Sequence, residues 1–420
     1  MDMAKLIVEG LHKLNGAVGI HGAKNSALPV LAATLLANSV SEIGNCPRLS
    51  DVDASVAILR CLGCQVDVRD HVVTVDPAGM CRCEIPDHLM REMRSSIVFL
   101  GAIIAKCGEA RMSFPGGCEL GPRPIDLHLD ALEKLGVAIE EERGHLRCRA
   151  KGRLKGTEIS LALPSVGATE NVLLAAATAD GTTVLHNAAR EPEIEDLCGY
   201  LNACGARIAV EKDGVITIEG VEALHGCRHE VIPDRIETAT YMAAAAVTGG
   251  TLLLRNARPE HVNTVFPAFE EAGCQVSVWK DEILISAPSR LRRVKTIRTM
   301  PYPGFPTDAQ APLMAMACLA DGTSVFIETI FENRYKHAGE LMRLGAKIKV
   351  EGRVAVVEGV PMLSGAPVEC TDLRGGAALV VAALAAEGHT EITCLTHLDR
   401  GYEELEDCLA RTGAVIRRES

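Results

Sequence analysis

The chain has 420 residues, of which 48% are hydrophobic, 23% are charged and 3% are aromatic, and its formal net charge is −12. This length exceeds what a single hydrophobic core usually organises, and the composition excludes a disordered, collagen-like or fibrous chain. The acidic balance argues against a protein that binds nucleic acid or an anionic membrane, although an acidic protein can still hold a basic site for a small anion.

The N-terminal residues lead directly into a strand-like segment, Leu6-Ile7-Val8, without the layout of a secretory signal. Uninterrupted apolar runs stay shorter than the roughly 18 residues that a membrane span needs, so we expect none. The 16 cysteines of such a chain are expected to be reduced thiols rather than a disulfide framework. We therefore predict a cytoplasmic protein.

A short phrase, in which a glycine is followed three residues later by valine or isoleucine, recurs along the chain after an amphipathic stretch. Its glycines lie 68 to 73 residues apart and are Gly63, Gly136, Gly205, Gly273, Gly345 and Gly413. Each suits the left-handed conformation that ends a helix, and a hairpin is predicted to follow, as in 207–210, the turn Asp213-Gly214 and 215–218. Six units of about 70 residues therefore fill the chain.

A second helix precedes the first in each unit and is apolar on nearly all sides, so we expect it to be buried inside a domain. The six predicted helices span 25–36, 94–105, 168–179, 236–247, 309–319 and 375–386. Together with the strands, each unit is predicted to be β-α-β-α-β-β. Because six such units exceed one core, we divide them into two α/β domains of three units each.

Polar side chains gather where the apolar helices begin, at Lys24, Arg94, Ser165, Asp234, Asp308 and Asp372. Free N–H groups and the helix dipole favour anions at such ends. If three units pack around an axis, three helix starts meet on one face, and two facing domains would form a cleft rich in Lys, Arg and Asp. The alternative is that each residue is an ordinary cap or a solvated end.

The segment 115–124 combines three glycines and three prolines with one cysteine, Cys118, and one arginine, Arg123. This composition predicts a loop. A loop thiol close to a cation is suited to work as a general acid or a nucleophile. The alternative is a structural cysteine.

Four cations stand in motif-like segments and could clamp a dianion or a carboxylate: Lys24, Arg123, Arg334 and Arg400. Asp308, at the start of a buried helix, is a candidate general base because a desolvated site can raise its pKa. The alternative role of Asp308 is that of a helix N-cap.

The pair Cys61 and Cys64 has CxxC spacing, which is typical of redox and metal sites. Cys64, however, fills the small core position that the other repeats give to Val137, Ala206, Cys274, Ala346 and Ala414. The histidines show no metal-ligand spacing either. We therefore predict no metal site.

In these segments the chain resembles the UDP-N-acetylglucosamine 1-carboxyvinyltransferase family of enolpyruvyl transferases, within the EPSP synthase superfamily. The likeness covers the whole chain, and its most specific part is Gly-Gly-Cys-x-x-Gly-x-Arg-Pro around Cys118. It implies a two-domain inside-out α/β barrel. One domain would hold residues 1–22 and 233–420, and the other residues 23–232 with the cysteine loop at 113–124.

The family transfers the enolpyruvyl group of phosphoenolpyruvate to the 3′-hydroxyl of UDP-N-acetylglucosamine and releases phosphate. This is the first committed step of peptidoglycan synthesis and a target of fosfomycin. The resemblance implies that Cys118 is the general acid and can carry a covalent pyruvate-type adduct, and that Asp308 takes the proton of the sugar hydroxyl. It implies no cofactor and no partner beyond the two substrates, neither nucleic acid nor membrane.

The resemblance also assigns site residues one by one. The catalytic positions would be Cys118, Asp308, Lys24 and Arg400. Phosphoenolpyruvate would be bound by Lys24, Asn25, Arg123 and Arg400. The UDP-sugar would be bound by Asn25, Arg94, Arg123, Pro124, Ile125, Asp126, Leu127, Leu163, Pro164, Ser165, Val166, Asp308 and Ile330. Further polar positions of the cleft would be Glu191, Asp234, Arg334 and Asp372.

Two alternatives remain open. The sister enzyme, enolpyruvylshikimate-phosphate synthase, shares the fold and the donor, but that family does not use a loop cysteine like Cys118. The other alternative is a non-catalytic repeat protein that binds a phosphorylated ligand. One departure from the family is Ser50, which replaces a lysine, with Arg48 nearby.

Overall fold

A computed structural model of the chain describes residues 4–114, 125–211 and 213–419, with the side chain of Arg94 left out. The described chain forms two compact units. The central unit holds residues 22–114 and 125–232, and the terminal unit holds residues 4–21 and 233–419. Within these residues, every helix is too short or too polar to cross a membrane.

The helices in chain order are α1 (Lys24–Ala33), α2 (Ser50–Leu62), α3 (Asp87–Glu92), α4 (Phe99–Cys107), α5 (Asp126–Lys134), α6 (Val166–Ala176), α7 (Pro192–Ala203), α8 (Arg235–Thr248), α9 (Pro259–Val262), α10 (Phe266–Glu271), α11 (Thr307–Cys318), α12 (Lys336–Arg343), α13 (Leu373–Ala383) and α14 (Leu405–Ala410). Short 3₁₀ helices span Thr34–Leu36, Pro77–Gly79, Arg94–Val98 and Leu395–His397.

The strands in chain order are β1 (Lys5–Glu9), β2 (Asn15–Gly19), β3 (Ser41–Gly44), β4 (Gln65–Arg69), β5 (Val72–Asp76), β6 (Glu84–Ile85), β7 (Glu109–Ser113), β8 (Val137–Glu142), β9 (His145–Ala150), β10 (Glu158–Ser160), β11 (Thr182–His186), β12 (Arg207–Val210), β13 (Ile216–Glu219), β14 (Arg228–Glu230), β15 (Thr251–Arg255), β16 (Gln275–Val278), β17 (Glu282–Ser286), β18 (Thr296–Arg298), β19 (Thr323–Ile327), β20 (Lys347–Glu351), β21 (Val354–Glu358), β22 (Leu363–Ser364), β23 (Pro367–Glu369), β24 (Ala386–Glu387), β25 (His389–Thr393) and β26 (Val415–Glu419).

Four-stranded sheets repeat one topology in both units. In the central unit their strand orders are β14-β3-β5-β4, β6-β7-β9-β8 and β10-β11-β13-β12. In the terminal unit they are β2-β15-β17-β16, β18-β19-β21-β20 and β23-β25-β1-β26. In each sheet the first two strands are parallel and the rest are antiparallel, as the β-α-β-α-β-β unit requires, because only parallel neighbours need a crossover helix.

Two sheets of the terminal unit take strands from the start of the chain. β1 lies between β25 and β26, and β2 pairs with β15 at the edge of its sheet. The central unit closes on itself in the same way, because β14, its last strand, pairs with β3, its first. The repeats are therefore permuted with respect to the order of the chain.

The predicted apolar helices lie inside the two units, as an inside-out arrangement requires. In the terminal unit α8, α11 and α13 pack on one another, and α13 is buried from Arg374 to Ala383. In the central unit α1 and α6 both pack on α4. Their observed ends differ from the predicted ones by a few residues. The helix expected at 94–105 begins as a 3₁₀ helix, in which the Ser96 hydroxyl donates to the Met90 carbonyl.

The repeated phrase has the predicted backbone in all six units. The φ angles of its glycines lie between 93° and 105°, in the left-handed region, at Gly63, Gly136, Gly205, Gly273, Gly345 and Gly413. The side chain after each glycine is at most 9% exposed, including Cys64. Burial raises the pKa of the Cys64 thiol to about 11. The interpretation of Cys64 as a core residue is therefore confirmed.

Candidate functional site

Lys24 opens the inner helix α1 of the central unit and is nearly buried. Its Nζ lies 3.0 Å from Oδ2 of Asp51, the second residue of α2, and the two side chains are 10% and 3% exposed. Asn25, next along the helix, is half-buried. Because a buried ammonium needs a partner, Asp51 fixes the position of Lys24 at the helix start.

A second polar group lies one residue further along α1. The Ser26 hydroxyl donates to Asp196 of α7, and the other oxygen of Asp196 lies 3.0 Å from Nε2 of His229. These three side chains join the start of α1 to α7 and β14. They carry no predicted role, and their contacts support the helix start that presents Lys24 and Asn25.

The two segments expected to hold a UDP-sugar begin neighbouring helices of the central unit, α5 and α6, which pack on each other. Ile125 is buried, Asp126 exposed and Leu127 half-buried where α5 begins. Before α6, Leu163 is 67% exposed. Pro164, Ser165 and Val166 are half-buried there, and the Ser165 hydroxyl caps the helix by accepting from the Ala168 N–H at 3.3 Å.

His128 joins these two helices, and the sequence did not point to it because it lies one residue past the segment that matches the family. Its Nδ1 lies 2.9 Å from the Asn171 amide nitrogen, and the amide oxygen of Asn171 accepts from the Gly101 N–H at 2.6 Å. A Cβ on Gly167 would come within 2.8 Å of the His128 ring. The start of α6 is thus packed against this ring.

Two acidic residues at the start of α7, Glu193 and the N-cap residue Glu191, lie near Glu170. Glu170 lies within α6 and is buried. Burial, together with the nearby carboxylates of Glu193 and Glu191, raises the pKa of Glu170 to about 8. Glu170 is therefore mostly protonated at neutral pH.

Asp308 is the second residue of the inner helix α11 in the terminal unit, where it meets two buried arginines. Its Oδ1 accepts from Arg334 at 2.8 Å, and its Oδ2 accepts from Nε and Nη2 of Arg374 at 3.3 and 3.2 Å. The Asp308 side chain is 28% exposed, whereas the arginines are 3% and 2% exposed. The N-cap of α11 is Pro306, so Asp308 is not the cap.

Arg374 belongs to this cluster, although the sequence analysis did not predict it as a site residue. It comes from α13, and its sequence distance of 66 residues from Asp308 hides the contact. Burial alone would lower the pKa of Arg374, but Tyr402, Asp308 and Asp234 raise it above the usual arginine value. Both guanidinium groups therefore stabilise an ionised Asp308 carboxylate.

Asp234 and Asp372 cap the inner helices α8 and α13. Asp234 accepts from the N–H groups of Ile236 and Glu237 at 2.7 and 3.0 Å. Asp372 accepts in the same way from Arg374 and Gly375 at 3.1 and 3.0 Å. For these two residues, the structure shows the capping contacts of the alternative interpretation.

Ile330 and Arg400 occupy loops of the terminal unit, and both are half-buried. The Ile330 N–H donates to Glu328 at 2.7 Å, and the other oxygen of Glu328 accepts from the Thr307 hydroxyl at 2.9 Å, which ties this loop to the residue before Asp308. Arg400 lies in the turn after the 3₁₀ helix Leu395–His397. Cys118, Arg123 and Pro124 lie outside the described residues, as does the side chain of Arg94.

The comparison with protein families decides the class. The family model described as EPSP synthase (3-phosphoshikimate 1-carboxyvinyltransferase) matches residues 8–409. The chain belongs to the EPSP synthase family. Like the family's members, it is an enolpyruvyl transferase with two inside-out α/β domains, as the sequence predicted.

Relatives within the EPSP synthase family share about half of the sequence. UDP-N-acetylglucosamine 1-carboxyvinyltransferase 2 of Caldanaerobacter subterraneus is 52% identical over 99% of this chain and 100% of its own. UDP-N-acetylglucosamine 1-carboxyvinyltransferase of Granulibacter bethesdensis is 48% identical over 99% of both chains.

Solved structures of the EPSP synthase family share the fold. The enolpyruvyl transferase NikO from Streptomyces tendae superposes with a TM-score of 0.90 at 28% identity, covering 100% of this chain and 99% of NikO. EPSP synthase from Acinetobacter baumannii gives a TM-score of 0.79 at 19% identity over 99% of this chain and 100% of its own, a likeness of fold alone.

Proposed function

We propose that this enzyme transfers the enolpyruvyl group of phosphoenolpyruvate to the 3′-hydroxyl of UDP-N-acetylglucosamine and releases phosphate, in the cytoplasm, as the first committed step of peptidoglycan synthesis. The choice of acceptor rests on the 52% identity, over nearly the whole chain, to UDP-N-acetylglucosamine 1-carboxyvinyltransferase 2 of Caldanaerobacter subterraneus. The Asp308 cluster supports the chemistry, because an ionised carboxylate at a helix start can accept a proton.

The reaction proceeds by addition and elimination. In the addition, Asp308 accepts the proton of the sugar hydroxyl, the sugar oxygen bonds to C2 of phosphoenolpyruvate, and Cys118 gives a proton to the methylene carbon. In the elimination, the Cys118 thiolate takes a proton back from the new methyl group, the bond from C2 to the phosphate oxygen breaks, and phosphate leaves. Lys24, Arg123 and Arg400 hold the phosphate and carboxylate of the donor, where fixed cations offset the developing charge.

The contacts of Lys24 and Asp308 support a division of labour. Lys24 is a nearly buried point charge that Asp51 holds, which suits it to bind an anion without moving. Asp308 retains an exposed fraction of 28%, which leaves the carboxylate accessible to a hydroxyl group. The segments 125–127 and 163–166, with Asn25 and Ile330, are proposed to bind the sugar nucleotide.

The test is phosphate release from phosphoenolpyruvate with UDP-N-acetylglucosamine, compared with shikimate 3-phosphate as acceptor. We expect release with the UDP-sugar alone. We expect Cys118→Ala to reduce that release strongly, while the matched variant Cys81→Ala, which removes an exposed thiol, retains it. Release with shikimate 3-phosphate alone would identify the sister reaction, after which the matching family is named. Ligand binding without release would indicate a non-catalytic protein.

A further inference from the structure

Behind Asp308, Arg374 is buried with one donor unused. Nε and Nη2 of Arg374 donate to Asp308, while Nη1 has no hydrogen-bond partner at ordinary distances. Burying a guanidinium donor without a partner costs free energy. The other contacts of Arg374 therefore determine how firmly its side chain is held. Those surroundings include the ring of Tyr402, whose centroid lies 5.3 Å from the guanidinium carbon.

Hydrogen bonds fix the direction in which the Tyr402 hydroxyl points. Oγ1 of Thr240 in α8 donates to the Ile236 carbonyl at 2.9 Å, so the only proton of that hydroxyl is already used. The Tyr402 hydroxyl lies 2.9 Å from the same Oγ1 and must therefore be the donor in this contact. This hydrogen bond anchors the end of the Tyr402 ring to α8.

Burial raises the pKa of Tyr402, although Arg374 and Thr240 oppose the shift, so the side chain remains a phenol at neutral pH. A phenol can donate to Thr240, which a phenolate cannot do. Tyr402 is also the first of the neighbours that raise the pKa of Arg374. The chain of contacts thus runs from α8 through Tyr402 to Arg374 and Asp308.

Tyr402 follows Arg400 by two residues, in the segment between the 3₁₀ helix Leu395–His397 and α14. A single side chain therefore connects the turn that carries Arg400 with the inner helices that carry Asp308 and Arg374. We propose that Tyr402 is a positioning residue of the enolpyruvyl transfer, whose ring, fixed by the hydrogen bond of its hydroxyl to Thr240, holds Arg374 in place against Asp308. The inference rests on the proposed role of Asp308 as the base.

The experiment compares Tyr402→Phe with Tyr241→Phe. Tyr241 lies on α8 next to Thr240 and is fully buried, but its hydroxyl lies outside this chain of contacts, so the matched variant makes the same chemical change without touching Arg374. Loss of the hydrogen bond to Thr240, which fixes the ring beside Arg374, predicts a fall in kcat of about threefold to tenfold for Tyr402→Phe. We expect both KM values to stay within about twofold, because the Tyr402 side chain is buried behind Arg374 and away from the surface that substrates reach. Tyr241→Phe should keep the wild-type kcat.

A second measurement does not depend on turnover. Solvent exchange of the Arg374 Nε proton, followed by NMR and assigned with Arg374→Lys, should be slow in the wild type and in Tyr241→Phe and faster in Tyr402→Phe. Unchanged kcat or unchanged exchange in Tyr402→Phe would overturn the inference, as would equal effects in both tyrosine variants. Use of another acceptor by the wild-type enzyme would refute the proposed function. The role of Tyr402 would still be tested by the exchange measurement and by the ratio of the Tyr402→Phe and wild-type rates with that acceptor.

Discussion

Asp308 shows how a single carboxylate can be held for proton transfer. Each of its oxygens faces a different arginine, and both arginines are buried while Asp308 is partly open. Fixed cations of this kind keep the carboxylate in one orientation and keep it charged. Removing the Asp308 carboxylate would leave these two buried arginines without their anionic partner, unlike the removal of an ordinary surface charge.

We predict that Asp308→Asn lowers the rate of enolpyruvyl transfer by about 10²- to 10⁴-fold, the usual contribution of a general base. UDP-sugar binding, measured by calorimetry, should remain, because the amide keeps the shape of the site. Asp281→Asn, an exposed position of the same unit, is the matched control and should retain full activity. Wild-type rates in Asp308→Asn would exclude the proposed base.

Glu170 makes the stability of the protein depend on pH. Its folded-state pKa of about 8 lies above the ordinary value of 4.5, so the native state binds a proton that the unfolded chain releases. Stability from this group is therefore complete below about pH 4.5 and is lost as pH rises through about 8. Glu170→Gln should unfold at a higher temperature than the wild type at pH 9 and show little difference at pH 5.

Thermal unfolding followed by circular dichroism at the two pH values checks this expectation. Glu195→Gln removes an exposed carboxylate of the same unit and serves as the control, with no pH-dependent gain. An equal gain in both variants would attribute the effect to net charge and not to the burial of Glu170.

At the scale of elements, the amphipathic helix of each repeat ends at a glycine because the backbone there is left-handed. Gly345 has a φ of 93°, and a Cβ placed there would meet no atom within 4 Å. Only the left-handed conformation, and not crowding, therefore opposes a side chain. We predict that Gly345→Ala lowers the free energy of unfolding by about 1–2 kcal/mol.

Gly339 provides the opposite case, because it lies inside α12 and a Cβ there would also meet open space. Gly339→Ala should raise the free energy of unfolding by about 0.5–1 kcal/mol, since alanine is the better helix former. Denaturant unfolding of the two variants measures the expected decrease and the expected increase in the free energy of unfolding, both within the terminal unit. A loss of stability in both would contradict the conformational explanation.

The same elements show what sequence can predict and where it stops. The period of about 70 residues, the apolar inner helices and the terminating glycines are local patterns, so the repeat and the division into two α/β domains followed from them, whereas the inside-out barrel followed from the resemblance to a family. The pairing of Asp308 with Arg374 joins residues 66 positions apart, and that of Lys24 with Asp51 joins residues 27 positions apart. Such contacts depend on how helices pack, and no local pattern specifies which side chain meets which.

At the scale of the whole molecule, the two units differ in how they use the chain. The three sheets of the central unit draw all their strands from residues 22–232. The terminal unit needs β1 and β2 to complete two of its sheets, and among the described strands β26 pairs with β1 alone.

We therefore predict that a fragment of residues 22–232 folds alone, with a cooperative thermal transition and dispersed amide resonances. A fragment of residues 233–420 should not give a cooperative transition until a peptide of residues 1–21 is added. The peptide with Leu6 and Val8, both buried, replaced by Asp is the control and should fail to restore folding. Folding of 233–420 by itself would show that β1 is dispensable.

The position of β1 also sets an order of events during synthesis on the ribosome. The strand emerges first, but its partners β25 and β26 are made about 380 and 410 residues later, which at 5–20 residues per second takes roughly 20–80 s. For that time the apolar segment Leu6-Ile7-Val8 has no sheet partner in its own unit, and it can be bound by chaperones or pair with other nascent chains. All strands of the central unit are made before β25, so the pairing that completes this sheet of the terminal unit places its oldest strand between its two youngest.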